Sequence, residues 1–571
     1  MARAQDERTR EFTIFGQDPA VRDRSGRIVR ARIAVPAERL DPGPRGYRVS
    51  VVDYDCTHDV LYEPADLDRG GAGRDPYARA DDDRLLRDPS FHAQQVYALV
   101  MHTLARFEAA LGRHVSWSFE YGHELQIAPH AFGEANAYYS ERNQGLLFGY
   151  FPGRRHHTIF ACLSHDVVVH ETTHALLDGL RDRYTDPSVA DQAAFHEGFA
   201  DVVALLSVFS ITSVLEEMLR RSTERRERYR ADEEWLRTSA LFGLAEQMGK
   251  ELQAHRGGAL RNSLEITAAP DLLERDEFQE PHRRGEVLVA ATLDALVRTW
   301  ARRLDFLGAG AGRRGDARAV RRIAEEGAAA AAYLLTLAIR ALDYAPPIDV
   351  LFGDFLSAML TADSEISPGE PRFKFRDELL RSFARYGIPP ASDAGAGGLW
   401  QPPLADPHIE GKRPLVYDRV HFESLRQDRD EVFRFLWENR ATLGLYPGTY
   451  TRVMSVRPCV RVAPDGFVLR ETVAEWEQMM DVRAAELRRL GLRVPRGMPP
   501  RTPIRLHGGG TLVFDEFGKL KFNVHKRLIG RGQQKKLDYL WGNGGYRADA
   551  AEKRMEAPGG YFADLHRQRA C

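Results

Sequence analysis

The sequence predicts an α+β protein in which one metal-binding helix sits between a β-rich N-lobe and a helical C-lobe. Three observations carry this. Apolar residues alternate with the period of strands in several stretches ahead of residue 152. After Asp201 the patterning becomes mainly helical. Between the two lies Asp166-Val-Val-Val-His-Glu-Thr-Thr-His-Ala-Leu-Leu-Asp178, which reads as a helix with two histidines four residues apart.

Residues 1–88 read as a small β-containing region. Val29, Ala31, Ile33 and Val35 alternate with polar or small residues, as in a half-buried strand. Residues 47–52 form a second strand candidate, and the Gly-, Asp- and Arg-rich stretch 68–83 reads as a linker or loop. No motif marks this region, which favours a structural module over a shortened inhibitory pro-region.

A larger domain is expected over residues 89–390. Phe91, Val96, Val100, Leu104, Phe107 and Leu111 recur at helical spacing, and Gly112 supplies a stop. Val115, Trp117 and Phe119 alternate as a strand, and Asn136–Tyr139 and Leu146–Phe151 supply two more. Residues 216–230 are charge-dense and read as a solvated helix face. Further helices are expected over 318–342, 349–362 and 373–386.

The Gly/Pro-rich stretch 391–406 reads as a linker to a C-terminal α+β domain, 407–571, of unassigned role. Helices are expected there at 428–439 and 472–490, with hairpin turns at Pro464-Asp-Gly466 and Phe517-Gly-Lys519. Gly508–Gly510 lacks the Gly-Lys-Ser/Thr ending of a phosphate loop and reads as a turn.

Composition narrows the function classes. A net charge of −2 makes no electrostatic case for nucleic acid or an anionic membrane. The four cysteines are scattered, so a disulfide framework is not expected and a reducing compartment is allowed. The apolar runs near 202–215 and 327–339 are too short to span a bilayer. The charged start MARAQDERTREF shows no standard secretory signal, so the expected location is cytoplasmic, or exported without one. Oligomeric state is not indicated.

The chemistry is concentrated in H-E-x-x-H. On a helix His170 and His174 share a face and can point at one metal ion, here zinc. Glu171 lies close enough to act on a water at that metal. A catalytic zinc wants a third protein ligand, and Glu197 in Phe195-His-Glu-Gly-Phe-Ala-Asp201 is the obvious donor. Asp201, one turn on, can take a ring N–H from a ligating histidine. Tyr184, in the loop between the ligands, is a candidate donor to a substrate oxygen.

These residues resemble the thermolysin-like zinc metallopeptidases of the gluzincin group. The string D-V-V-x-H-E-x-T-H-A-x-x-D is matched from Asp166 to Asp178. Asn136-Ala-Tyr-Tyr139 is similar to the family's edge-strand segment, which implies that Asn136 and the backbone of Ala137 bind substrate by strand addition. Ala259-Leu-Arg261 resembles the segment whose arginine braces the scissile carbonyl, implying that role for Arg261. His282 resembles the family's transition-state histidine, although Gly285 comes one residue early, and either Glu277 or Glu280 is placed to orient it. The resemblance further implies an apolar pocket lined by Val167 and Leu260. It is confined to residues 89–390.

The expectation is therefore a zinc endopeptidase acting on peptides or proteins and cutting on the N-terminal side of apolar residues. The alternatives are a catalytically silent zinc-binding scaffold and a metal-free peptide-binding protein. The intact Glu171 argues against both, because neither needs a base beside the metal.

Overall fold

The computed structural model describes residues 9–20, 22, 26–68, 74–119, 122–153, 158–186, 188–223, 227–241, 263–369, 372–403, 414–463, 465–544 and 546. Both helices and several sheets are present, an α+β arrangement. The chain opens with an antiparallel pair, β1 (Thr9–Phe15) and β2 (Arg30–Pro36). Short β3 (Val49–Val51), β4 (Tyr54–Asp55), β5 (Val60–Leu61) and α1 (Asp82–Arg87) follow. The helix α2 (Pro89–Leu111) starts on an Asp88 cap that accepts from the Ser90 amide, and ends where Gly112 takes φ 70°.

A five-stranded sheet comes next, made by β3, β6 (Leu125–Phe132), β7 (Ala137–Ser140), β8 (Gly145–Pro152) and β9 (Thr158–Phe160). Its order is β3-β6-β8-β7, with β9 pairing β8. β7 pairs antiparallel with β8 alone among the described residues, which leaves it on the edge. The chain then enters α3 (His165–Leu180) and α4 (Ala190–Phe209). Helix α4 is buried almost all round, so its sequence is apolar on nearly every face.

The helical lobe continues with α5 (Thr212–Thr223), β10 (Arg228–Arg230), α6 (Glu233–Leu236), α7 (Pro281–Phe306), β11 (Ala311–Arg313), α8 (Ala317–Ala341), α9 (Phe352–Ile366) and α10 (Phe375–Arg385). Phe355 of α9 meets Phe195 and Phe199 of α4 edge-on at 5.1 and 5.8 Å, an arrangement aromatic rings favour. Beyond it lie α11 (Phe422–Leu425), α12 (Arg429–Glu438), the antiparallel sheet β12 (Tyr450–Val462), β13 (Val468–Arg483), β14 (Pro503–Asp515), β15 (Leu520–Lys526), and α13 (Arg531–Gly542). No single described helix is long and apolar enough to cross a membrane.

Several expectations change at this level. The boundary at residue 88 runs through one packed body. Phe12, Ile14, Phe15, Ile33 and Val35 share a core with α2, and the Phe15 amide donates to Gln95 Oε1 at 2.9 Å. The 391–406 stretch is no free tether as far as residue 403: Trp400 is buried, its indole N–H donating to the Tyr344 carbonyl at 2.8 Å. Residues 115–119 form no strand; Trp117 instead donates to the Arg48 carbonyl at 3.2 Å.

In the C-terminal region the helix at 428–439 is α12, and both hairpin turns occur, between β12 and β13 and between β14 and β15. The helix expected at 472–490 is instead most of β13, followed by a 3-10 turn. Two of its acidic side chains are buried in ion pairs: Glu475 with Arg181 and Arg457, and Glu477 with Arg183 and Arg452. Gly508–Gly510 is likewise not a turn but the middle of β14. A Cβ there would lie 2.6 Å from the Leu528 nitrogen, 2.6 Å from the Trp476 carbonyl oxygen and 2.7 Å from the His525 Cβ, so neighbouring chain approaches too closely for a side chain.

Candidate metal centre

Helix α3 begins directly after the 3-10 turn Ala161–Leu163 and carries its functional residues in its second and third turns. One turn apart on the same face, His170 and His174 bring their Nε2 atoms to 2.9 Å. Glu197 arrives from α4, with carboxylate oxygens 3.5 Å from His170 Nε2 and 3.7 Å from His174 Nε2. A tetrahedral ion with ligands at about 2.0–2.1 Å sets its donors roughly 3.3 Å apart. The separations found here, 2.9, 3.5 and 3.7 Å, bracket that value, so the donor set fits one small cation. His170, His174 and Glu197 are all buried and could hold a metal ion.

The far sides of the rings are held as well. Asp201 lies 2.8 Å from His170 Nδ1, which keeps that proton outward and the Nε2 lone pair inward. Burial opposes a charge on His170, while the neighbouring carboxylates Asp201, Glu197 and Glu171 favour positive charge there. His174 Nδ1 lies 2.6 Å from His196 Nδ1, with the rings stacked at 4.7 Å. Sequence reading passed over His196; its place immediately before Glu197 on the same helix was the available signal.

Glu171 is fully buried, and its Oε2 accepts the Tyr139 amide at 3.0 Å. The edge strand β7 is thereby tied to α3 beside the two histidines. A second tie runs from Asp178, which accepts from the hydroxyls of Tyr139 (2.8 Å) and Ser118 (2.6 Å). Burial pushes the Asp178 pKa up, against the pull of those two hydroxyls. At the head of β7 the Asn136 side-chain oxygen accepts the Ala137 amide at 2.9 Å, and the Asn136 carbonyl accepts from Gly149 at 2.8 Å.

His282 comes from the first turn of α7. Pro281 opens that helix, and Glu280 caps it by accepting from the Arg283 amide at 2.9 Å. The same carboxylate accepts the His282 Nδ1 proton at 2.7 Å, so Glu280 and not Glu277 orients the ring. Burial would raise the Glu280 pKa, but the His282 and Arg283 donors hold it down to about 2. The His282 Nε2 then faces the metal group, 3.9 Å from Glu197. Arg284 fixes the start of α7 to the start of α4 through Asp191 at 2.6 Å.

Tyr184 requires a correction. It is buried, and its hydroxyl donates to the Pro346 carbonyl at 2.8 Å, so it packs the lobe and does not present a donor to a substrate. Val167 is on α3 but 2 % exposed and part of the main core. Leu260 and Arg261 lie outside the described residues. In comparisons with known proteins, no protein-family model matches this chain and no curated protein matches it.

Proposed function

We propose that the chain is a zinc-dependent endopeptidase of the thermolysin-like, gluzincin type, hydrolysing peptide bonds on the N-terminal side of apolar residues. The observation that carries this reading is Glu171: a buried carboxylate beside the ligand group, absent from the ligand set, and held by the edge-strand amide of Tyr139. Zinc would be held by His170, His174 and Glu197. When bound, it supplies a Lewis acid that polarises a carbonyl and lets water ionise near neutral pH.

Every other step belongs to side chains of the protein. Glu171 takes the proton of the attacking water and returns it to the leaving amine. His282, oriented by Glu280, donates from Nε2 to the carbonyl oxygen as negative charge develops there. Asp201 holds the His170 tautomer. The edge strand β7, from Asn136 and Ala137 onward, receives the extended substrate backbone by strand addition.

Hydrolysis of casein and of a mixed peptide library tests the proposal. Chelation abolishes cutting and zinc restores it, while Glu171→Gln keeps its metal and loses nearly all activity. A Glu171→Gln protein as active as wild type overturns the assignment of the base. Metal-loaded wild type that cuts no peptide leaves a zinc-binding scaffold.

A further inference from the structure

A second group of metal-ligating side chains shares no residue with the first. His92 comes from α2, His130 from β6, and Cys162 from the 3-10 turn Ala161–Leu163 that leads into α3. They are 1 %, 3 % and 0 % exposed, and one donor atom from each lies within 4.8 Å of the others.

The hydrogen bonds fix which ring nitrogens carry protons. His92 Nε2 lies 3.1 Å from the Leu86 carbonyl, an acceptor only, so Nε2 carries the hydrogen and Nδ1 a lone pair. His130 Nδ1 lies 2.7 Å from Asp53 Oδ2, so that nitrogen donates and Nε2 holds the lone pair. Asp53 also accepts the His130 amide at 3.0 Å, which locks the ring's backbone to the same carboxylate. The two lone-pair nitrogens, His92 Nδ1 and His130 Nε2, face each other at 2.7 Å. Two neutral acceptors at that distance repel unless a proton or a metal ion lies between them.

The first centre shows the same pattern: ring nitrogens 2.9 Å apart, with an Asp carboxylate on the far nitrogen of one ring. A carboxylate behind a ligating histidine is the usual support of a metal site. The competing occupant is a shared proton.

We propose that His92, His130 and Cys162 form a second, structural site for a soft transition-metal ion, zinc or copper(I). Two imidazoles and a thiolate select that class over magnesium or calcium, which require oxygen donors. The Asp53 carboxylate is engaged by His130. Packing of Phe160 and Tyr62 against His130, at 5.1 and 5.2 Å, closes the surroundings with aromatic rings. Burial keeps the metal-free Cys162 thiol protonated. On binding, its S–H bond breaks, the proton leaves to solvent and a sulfur–metal bond forms. The ion would tie α2 and β6 to the turn that launches α3, and so brace the helix that carries His170 and His174.

Cobalt(II) titration of metal-free full-length protein tests this, because only a site with a thiolate ligand gives a near-ultraviolet sulfur-to-cobalt charge-transfer band. The first centre contains no sulfur. The expected result is a band that saturates at one equivalent, survives in His170→Ala/His174→Ala, and is absent from Cys162→Ser but retained in Cys56→Ser. Zinc alone or copper(I) alone bleaches the band, and whichever ion accompanies the purified protein identifies the natural occupant. Wild type and the double histidine variant both lacking the band, with wild type binding one metal in total, overturns the proposal and leaves a proton-sharing histidine pair. The double variant separates these two outcomes even where Cys162→Ser fails to fold.

Discussion

Gly198 and Gly285 meet where α4 crosses α7: a Cβ on Gly198 would lie 2.9 Å from the Gly285 carbonyl oxygen and 3.0 Å from its Cα. The helices touch backbone to backbone, and this brings Glu197 and His282, each within three residues of the contact, to 3.9 Å. Alanine at either glycine forces the helices apart. Overpacking costs about 1–3 kcal/mol, against a gain of roughly 1 kcal/mol from replacing glycine within a helix. Gly198→Ala and Gly285→Ala are therefore expected to be modestly destabilised and, under the proposed function, to lose more peptidase activity than that destabilisation accounts for. Urea denaturation beside kcat measurements checks this. Alanine variants as active as wild type would show that this approach does not set the position of His282.

His196 holds His174 from behind, so its removal should be felt in metal affinity before activity at saturating metal. Loss of such a supporting group typically costs about 10–100-fold in affinity. His196→Ala should show that loss in competition with a calibrated chelator, and His196→Asn, which keeps a hydrogen-bonding group at the ring's edge, should recover part of it. Equal affinity in all three proteins would assign His196 to packing alone.

The first centre was legible because its geometry is local: His170, Glu171 and His174 lie within two turns of one helix, and Glu197 lies on the next helix, which is apolar on nearly every face. Helix α2 was legible for the same reason, from its apolar period and the Gly112 stop. The second cluster was not, since His92, His130 and Cys162 come from three elements with no shared period, and a buried histidine in sequence looks like any other. The helix expected at 472–490 is a strand for a tertiary reason: Glu475 and Glu477 are ion-paired by Arg181, Arg183, Arg452 and Arg457, which no local sequence pattern brings beside them.

Asp343 holds the C-terminal sheet to the helical lobe. Fully buried, it pairs with Arg113 at 2.7 Å, with Arg461 of β12, and with Arg181 at 3.9 Å. Burial alone would raise its pKa, but Arg113, Arg461 and Arg181 hold it well below the usual carboxylate range. A folded pKa below the unfolded one gives stability that is complete above the unfolded value, about 3.9, and is lost as pH falls toward the folded value. Asp343→Asn leaves buried guanidinium groups uncompensated and should cost about 3–5 kcal/mol at pH 7. The gap between variant and wild type should narrow below pH 4. Urea denaturation at both pH values measures it; a gap that widens in acid contradicts the assignment.

The last prediction concerns the residue after the scissile bond. Under the proposed function its pocket is walled by Val167, which precedes His170 by one helical turn, and by Leu260. Both side chains are apolar and uncharged. Val167 is 2 % exposed in the main core, so the proposed pocket has to open onto it. Each methylene a substrate buries there contributes roughly 0.8 kcal/mol. Leu or Phe should thus exceed Ala by about ten- to a hundredfold in kcat/KM, the range a hydrophobic pocket delivers. A carboxylate entering the same space would be desolvated without a partner, so Asp and Glu should be rejected. Val167→Ala, by enlarging the pocket, should shift preference from Leu toward Phe, while Val167→Asp should suppress cutting before both. Mass spectrometry of products from a mixed peptide library decides it. Cuts that fall mainly before acidic residues, or only at chain ends, would remove Val167 from the pocket and with it the specificity proposed for this protein.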